Sequence, residues 1–131
     1  MNKSKSREAA MKMLFALSLG GDYAAEAIID DLPLSAKESA FCNLLVEGVK
    51  ANVEDLKKVI SEYSQAWSLE RIGKVELCIL LIATYEIIYL PEVPVGASIN
   101  EAVELAKEYC DEKSPAFING ILGSIGRKYR A

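Results

Sequence analysis

The pattern of hydrophobic and polar residues is helical along almost the whole chain. Apolar residues recur at the i, i+3, i+4, i+7 spacing that places them on one face of a helix. The clearest of these stripes are Ala10/Met13/Leu14/Leu17, Phe41/Leu44/Leu45/Val49, Val53/Leu56/Ile60/Tyr63, Ile99/Ala102/Val103/Ala106 and Ile118/Ile121/Leu122/Ile125. The pattern therefore predicts an all-α fold of about seven helices, without strands.

Residues that favour helix ends divide this pattern into segments. Ser35 with Glu38, and Ser98 with Glu101, have the spacing of a capping box, so each pair predicts a helix start. Ser4 or Ser6 is the predicted cap of the first helix, which ends at Gly20 and Gly21. Asp22 is the predicted cap of a short helix over 23–30, and Asn52 that of a helix over 53–63. Ser114, followed by Pro115, is the predicted cap of the last helix. Short connections favour antiparallel neighbours, hence one or two small packed bundles in a single domain over 1–131.

The segment 75–90 predicts the most apolar helix of the chain. Its apolar stretch is about 14 residues long, whereas a membrane span needs roughly 20, so we expect a central helix of a bundle and no membrane contact. Glu76 and Glu86 interrupt this segment. We expect both carboxylates to face solvent on a polar strip; the alternative is that one of them pairs with a cationic partner.

Composition argues against catalysis. The 131 residues are 51% hydrophobic and 26% charged, which is typical of one globular domain. There is no His, which excludes His-based acid–base chemistry and His metal sites. Cys42, Cys78 and Cys110 form no CxxC pair and are expected as buried thiols in a reducing cytosol. With no phosphate loop or nucleophile elbow, we expect no metal, no cofactor and a binding module rather than an enzyme.

Charge is distributed unevenly along the chain. The net charge is −4, yet Lys3, Lys5, Arg7 and Lys12 near the N-terminus are opposed by Glu8 alone. A basic arm over 1–6 that leads into a helix is a candidate for contacting phosphates. An ordinary solvated terminus would have the same pattern.

Two aromatic residues lie off the apolar stripes. On a helical wheel Phe15, like Met11, lies to one side of the stripe of the first helix, and Phe117 lies roughly 100° from Ile118. An aromatic side chain outside the core stripe suggests a surface that binds a partner or stacks on a base. The alternative is that both pack at the edge of the core.

Several segments resemble the NusB family of bacterial transcription antitermination factors. Residues 98–107, SINEAVELAK, and 112–122, EKSPAFINGIL, are similar to the C-terminal part of that family. REAA at 7–10 with LF at 14–15 resembles its first helix, and VE at 75–76 with IATYE at 82–86 resembles its central helix. The similarity runs nearly from end to end of the chain.

The resemblance implies an all-helical fold of two small packed bundles and a cytoplasmic, non-enzymatic RNA-binding role. NusB proteins bind the boxA element of nascent ribosomal RNA transcripts together with NusE, a small-subunit ribosomal protein, within the RNA polymerase antitermination complex. Both a monomer and a homodimer are compatible with this family. The alternative function is that of a helical accessory module for ribosomal RNA maturation, and an enzyme ranks third.

The resemblance also implies site residues. The implied RNA-binding residues are Lys3, Lys5 and Arg7 in the arm, and Lys113, Ser114 and Phe117 near the start of the last helix. Phe15 and Glu76 are the residues implied to face NusE. Many relatives have an Arg-rich arm, whereas this arm alternates Lys with Ser before Arg7. Because Lys lacks the bidentate fork of Arg, we expect RNA binding to depend more on NusE.

Overall fold

The computed structural model describes residues 3–20, 33–64 and 71–130, and all regular structure in these ranges is helical. The five helices are α1 (Ser4–Ser18), α2 (Ala36–Tyr63), α3 (Lys74–Tyr89), α4 (Val95–Tyr109) and α5 (Ser114–Tyr129). The predicted all-α fold class is confirmed. The helix predicted over 23–30 lies outside the described residues, and two other predicted helices are joined in α2.

Helix α3 is the central element. Every residue from Cys78 to Ile87 is buried, and α3 packs against each of the other four helices. A helix that is apolar nearly all round has to be surrounded in this way. Helix α1 also packs with α2, and α4 with α5, so two pairs of helices share α3 as their common core.

Helix α2 is kinked at Asn52, where the sequence predicted a new helix start. The backbone there is non-helical, with φ −122° and ψ 16°. The side-chain amide of Asn52 donates to the Gly48 carbonyl at 2.8 Å, which bends the helix without ending it. At the start of α2 the predicted capping box is confirmed: Ser35 Oγ accepts from the Glu38 amide, and Glu38 Oε1 accepts from the Ser35 amide.

The caps predicted for α1, α4 and α5 are wrong. The residues at the N-cap positions are Lys3, Pro94 and Lys113, and none of them makes a side-chain capping bond. The serines expected to cap lie inside these helices and donate to other helices instead, as Ser6 does to the Glu38 carbonyl at 2.8 Å. A hydroxyl near a helix start thus has two uses that a local pattern does not distinguish.

Every residue of the predicted apolar stripes is buried or half-buried except Leu44. Leu44 belongs to a predicted apolar stripe but is 45% exposed, whereas Met11, which lies off its stripe, is only 3% exposed. Met11 is buried because α1 packs against α2, α3 and α4, so more than one face of α1 is covered. A single apolar stripe identifies the buried residues only where one face of the helix is covered.

Helices α2 and α3 approach closely at Gly48. A Cβ atom on Gly48 would overlap the ring of Tyr85, and that ring stacks on Tyr89 with centroids 5.1 Å apart. The chain therefore needs a residue without a side chain at this contact.

We expect Gly48→Ala to destabilise the protein by about 1–3 kcal/mol, because the added methyl group overpacks this contact. Urea denaturation measures the free energy of unfolding. Gly120→Ala is the matched control: nothing lies within 4 Å of its added Cβ, so helix propensity alone should raise stability by about 1 kcal/mol. Equal effects of the two variants would contradict the steric argument.

The end of α3 is closed by a side chain from the end of α5. The Arg130 guanidinium donates to the carbonyls of Ile87 at 2.7 Å, Leu90 at 2.8 Å and Val93 at 3.0 Å. The last carbonyls of a helix lack intrahelical partners, and a cation is favoured at that negative end of the helix dipole.

We expect Arg130→Met to lower the free energy of unfolding by about 1–3 kcal/mol, because buried carbonyls lose their donors. Arg127→Met is the control, since Arg127 is exposed and its Nη2 donates to Ser124 of its own helix. Thermal and urea unfolding of both variants make the comparison. If Arg127→Met cost as much, general loss of positive charge would explain the effect.

Candidate functional site

Arg7, predicted to contact RNA, lies inside the helix packing. It is 4% exposed. Its guanidinium forms a bidentate pair with Glu86, with Nε to Oε2 at 2.8 Å and Nη2 to Oε1 at 2.6 Å. The expectation that Glu86 faces solvent is wrong: it is 0% exposed. A carboxylate can be buried in so apolar a helix because charged and polar donors compensate for its lost hydration.

Side chains of α2 and α4, together with Ser4 of α1, surround this pair. Ser98 Oγ of α4 donates to Glu86 Oε1 at 2.9 Å. Glu101 Oε1 accepts from Ser4 Oγ at 2.6 Å and lies 3.9 Å from Arg7 Nη1. The Arg7 guanidinium lies over the Phe41 ring of α2, with its Cζ 5.6 Å from the ring centroid. We call Arg7, Phe41, Glu86, Ser98 and Glu101 the arm cluster; it joins α1, α2, α3 and α4.

The two lysines of the arm differ from Arg7 in their surroundings. Lys5 is exposed and Lys3 is half-buried. The Lys3 ammonium lies 4.8 Å from the Phe41 ring centroid, a cation–π distance. Hydrogen bonds from Ser35 hold the pKa of Glu38 below its usual value, and the charge of Lys5 adds to this. Both ammonium groups therefore lie at the start of α1 close to the N-terminal turns of α2.

Four predicted site residues meet in a cavity at the opposite end of α3. A cavity of about 200 Å³ is lined by Glu76, Lys113, Ser114 and Phe117 together with Arg71, Ile72, Gly73 and Asp111. We call it the loop pocket. Arg71 is a cation that the sequence analysis missed, because it belongs to a turn with no helical pattern.

Hydrogen bonds order the loop pocket. Ser114 is buried, and its Oγ donates to Glu76 Oε2 at 2.8 Å. Asp111 Oδ1 accepts from the backbone amide of Lys113 at 2.9 Å, at the start of α5. Phe117 is half-buried and packs against the core. The start of α3 and the start of α5 thus converge here, and their dipoles favour anions.

Cys110 lies beside this pocket and is half-buried, whereas Cys42 and Cys78 are buried as expected. Burial raises the pKa of the Cys110 thiol to about 12, and the Glu76 carboxylate contributes to the shift. Burial also raises the pKa of Cys42 and of Cys78 to about 11. A thiol with so high a pKa stays protonated near neutral pH, and a protonated thiol is a poor nucleophile.

Phe15 lies at the same end of the molecule as Glu76. Helix α1 runs antiparallel to α3, since Arg7 near its start pairs with Glu86 and Lys74 Nζ at the start of α3 reaches the Ser18 carbonyl at 3.5 Å. Phe15 is half-buried and packs against the core. The off-stripe aromatics are therefore core-edge residues with a partly exposed surface.

The predicted RNA-binding residues form two groups. The arm lies near Glu86, and Lys113, Ser114 and Phe117 lie near Glu76. Ten residues of α3 separate the two glutamates, about 15 Å along the helix axis. A ligand that contacts both groups has to be extended.

Neither a metal centre nor a membrane span is found in the ranges 3–20, 33–64 and 71–130. No group of three or more His, Cys, Asp or Glu side chains there could hold a metal ion. The helices of these ranges are too short or too polar to cross a bilayer.

Comparison with known proteins identifies the family. Among curated relatives, the transcription antitermination protein NusB of Clostridium novyi is 40% identical, with 95% of this chain and 98% of that protein aligned. The NusB of Clostridium botulinum strain Alaska E43 is also 40% identical, over 98% of this chain and the whole of that protein.

Solved structures agree with this assignment. NusB of T. maritima is 30% identical, with a TM-score of 0.87 over all of this chain and 94% of that chain. A crystal structure of antitermination factors NusB and NusE in complex with double-stranded RNA matches at 25% identity and a TM-score of 0.86, covering 96% of each chain. A model of the NusB family matches residues 4–127. The chain belongs to the NusB family.

Proposed function

We propose that this protein is an RNA-binding transcription antitermination factor that binds boxA of nascent ribosomal RNA transcripts together with NusE. The observation that carries the proposal is the likeness to a NusB chain solved with NusE and RNA, which extends over 96% of both chains. Relatives named for transcription antitermination at 40% identity support it. Its place of action is the cytoplasm, within the RNA polymerase antitermination complex.

The protein acts by binding and needs no cofactor. The two groups of site residues consist of ammonium groups, a buried hydroxyl, carboxylates and an aromatic ring. These side chains contact phosphates, bases and a protein partner. The Ser114 hydroxyl bonds to the Glu76 carboxylate, but Ser114 is only 5% exposed, so it is not presented to a ligand as an activated nucleophile would be. The thiol nearest to the loop pocket, Cys110, has a raised pKa, so it supplies no nucleophile either.

RNA binding is assigned to Lys3 and Lys5 at one end of α3 and to the loop pocket at the other. The lysines contact phosphates, which gives affinity without sequence readout. Lys113 contacts a further phosphate, and Phe117 offers the exposed part of its ring to a base. Ser114 has an indirect role, because its hydroxyl is buried and donates to Glu76. A single strand of RNA in an extended conformation spans the roughly 15 Å along α3 between the two groups of residues.

NusE is assigned to the end of the molecule where α1 finishes and α3 begins. Phe15 and Glu76 lie there, each with part of its side chain exposed. An aromatic residue with a nearby charge is typical of an interface anchor.

The proposal is tested by binding of boxA RNA and of a scrambled RNA, each with and without NusE. Sequence-dependent ternary binding supports the antitermination function. Equal binding of boxA, scrambled and structured ribosomal RNA would instead support the accessory role in ribosomal RNA maturation. No RNA binding under any of these conditions would exclude both.

We expect the double variant Lys3→Ala/Lys5→Ala to weaken RNA binding and to flatten its salt dependence. Loss of two phosphate contacts on single-stranded RNA lowers the slope of log K against log salt by roughly 1.4. Titrations at several salt concentrations measure the slope. Lys50→Ala/Lys58→Ala, at exposed positions of α2, is the charge-matched control, and an equal change there would show a non-specific effect of net charge.

We expect Glu76→Lys to weaken NusE binding by at least roughly tenfold, since charge reversal at an interface places like charges together. Calorimetry with NusE measures the affinity, and circular dichroism checks the helical content. Glu54→Lys, at an exposed position of α2, makes the same change in net charge elsewhere. If a folded Glu76→Lys protein bound NusE as tightly as the control, the assigned surface would be wrong.

A further inference from the structure

The guanidinium of Arg7 is enclosed within the protein and paired with Glu86. Nε and Nη2 donate to Glu86, Nη1 lies 3.9 Å from Glu101, and the Phe41 ring covers the group. The residue is 4% exposed. A phosphate could reach Arg7 only if this pair opened, which would leave the Glu86 carboxylate buried without its charged partner.

The arm cluster instead fixes where α1 begins. Ser4 and Arg7 bind α4 and α3 through Glu101 and Glu86, and Ser6 donates to the Glu38 carbonyl on α2 at 2.8 Å. The first turn of α1 is thereby bonded to three helices. Lys3 at the N-cap and Lys5 within this turn are adjacent to the bonded residues, so these bonds constrain the positions of both lysines.

We propose that Arg7 is a positioning residue: its bidentate pair with Glu86 holds the first turn of α1 so that Lys3 and Lys5 contact RNA, and Arg7 itself does not touch RNA. This inference rests on the proposed RNA-binding function. It deepens that function by dividing the basic arm into two contacting cations and one cation that orients them.

The positioning role and simple electrostatics predict opposite effects of Glu86→Gln on RNA affinity. Glu86→Gln removes a negative charge near the arm, and by Coulomb attraction alone it should tighten RNA binding. In the positioning account the amide presents an N–H₂ to a guanidinium donor, which breaks the bidentate pair. The arm then shifts, and RNA binding weakens.

The experiment measures binding of boxA RNA, with NusE present, by the wild type, Glu86→Gln and Arg7→Lys. We expect both variants to bind RNA about tenfold more weakly, although Arg7→Lys keeps the charge. Glu104→Gln is the matched control, because it removes an exposed carboxylate on α4 that lies outside the arm cluster. Its RNA affinity should equal that of the wild type or exceed it slightly.

A double-mutant cycle separates positioning from general loss of stability. In the Lys3→Ala/Lys5→Ala background, Glu86→Gln should cause no further loss of RNA affinity, because the contacts it misplaces are already absent. Affinity for NusE should stay at the wild-type value in each variant. A variant that merely destabilised the fold would weaken RNA binding equally in both backgrounds and would weaken NusE binding too.

The outcomes are distinct from those that test the proposed function. Failure of the wild type to bind RNA with NusE would refute the proposed function itself. If the wild type binds, then unchanged or tighter binding by Glu86→Gln, or a loss that adds fully to that of the lysine variant, overturns the positioning role. Should Glu86→Gln not fold, Arg7→Lys in the same cycle gives the same comparison.

Discussion

The ion pair between Arg7 and Glu86 constrains how this bundle can assemble. A carboxylate in the middle of the most apolar helix is tolerated only if a cation and further donors are supplied to it. Helix α1 therefore has to pack against α3 in the one register that brings Arg7 to Glu86. The position of the basic arm along α3 follows from that requirement.

The second glutamate of α3 is partnered in a similar way at the opposite end of the helix. Ser98 in the first turns of α4 donates to Glu86, and Ser114 at the first residue of α5 donates to Glu76. Both serines belong to the two segments that most resemble the NusB family. The two segments that resemble the family thus also bond α4 and α5 to the central helix.

Hydrophobic spacing was sufficient to predict the helices and most of the core, since each stripe reports burial of one helix against its neighbours. It was insufficient for Met11 and Leu44, whose burial depends on which helices lie on the other side. The serine caps predicted for α1, α4 and α5 failed, although that of α2 held, because a hydroxyl can bind a distant carboxylate or carbonyl as well as its own helix start. The Arg7–Glu86 pair joins residues 79 positions apart, and no local pattern carries that information. For the site, the resemblance supplied four residues that meet in the loop pocket, while Arg71 lay in a segment without a pattern.

The three cysteines have a consequence for the chemical durability of the chain. Oxidation of a cysteine to a sulfenic acid or a disulfide begins with the thiolate, and its rate follows the thiolate fraction. Burial keeps the pKa of Cys42 and Cys78 at about 11 and that of Cys110 at about 12. At neutral pH about one thiol in ten thousand or fewer is ionised at these pKa values. Oxidation by peroxide and exchange with glutathione, which both require the thiolate, are therefore disfavoured at these positions while the protein is folded.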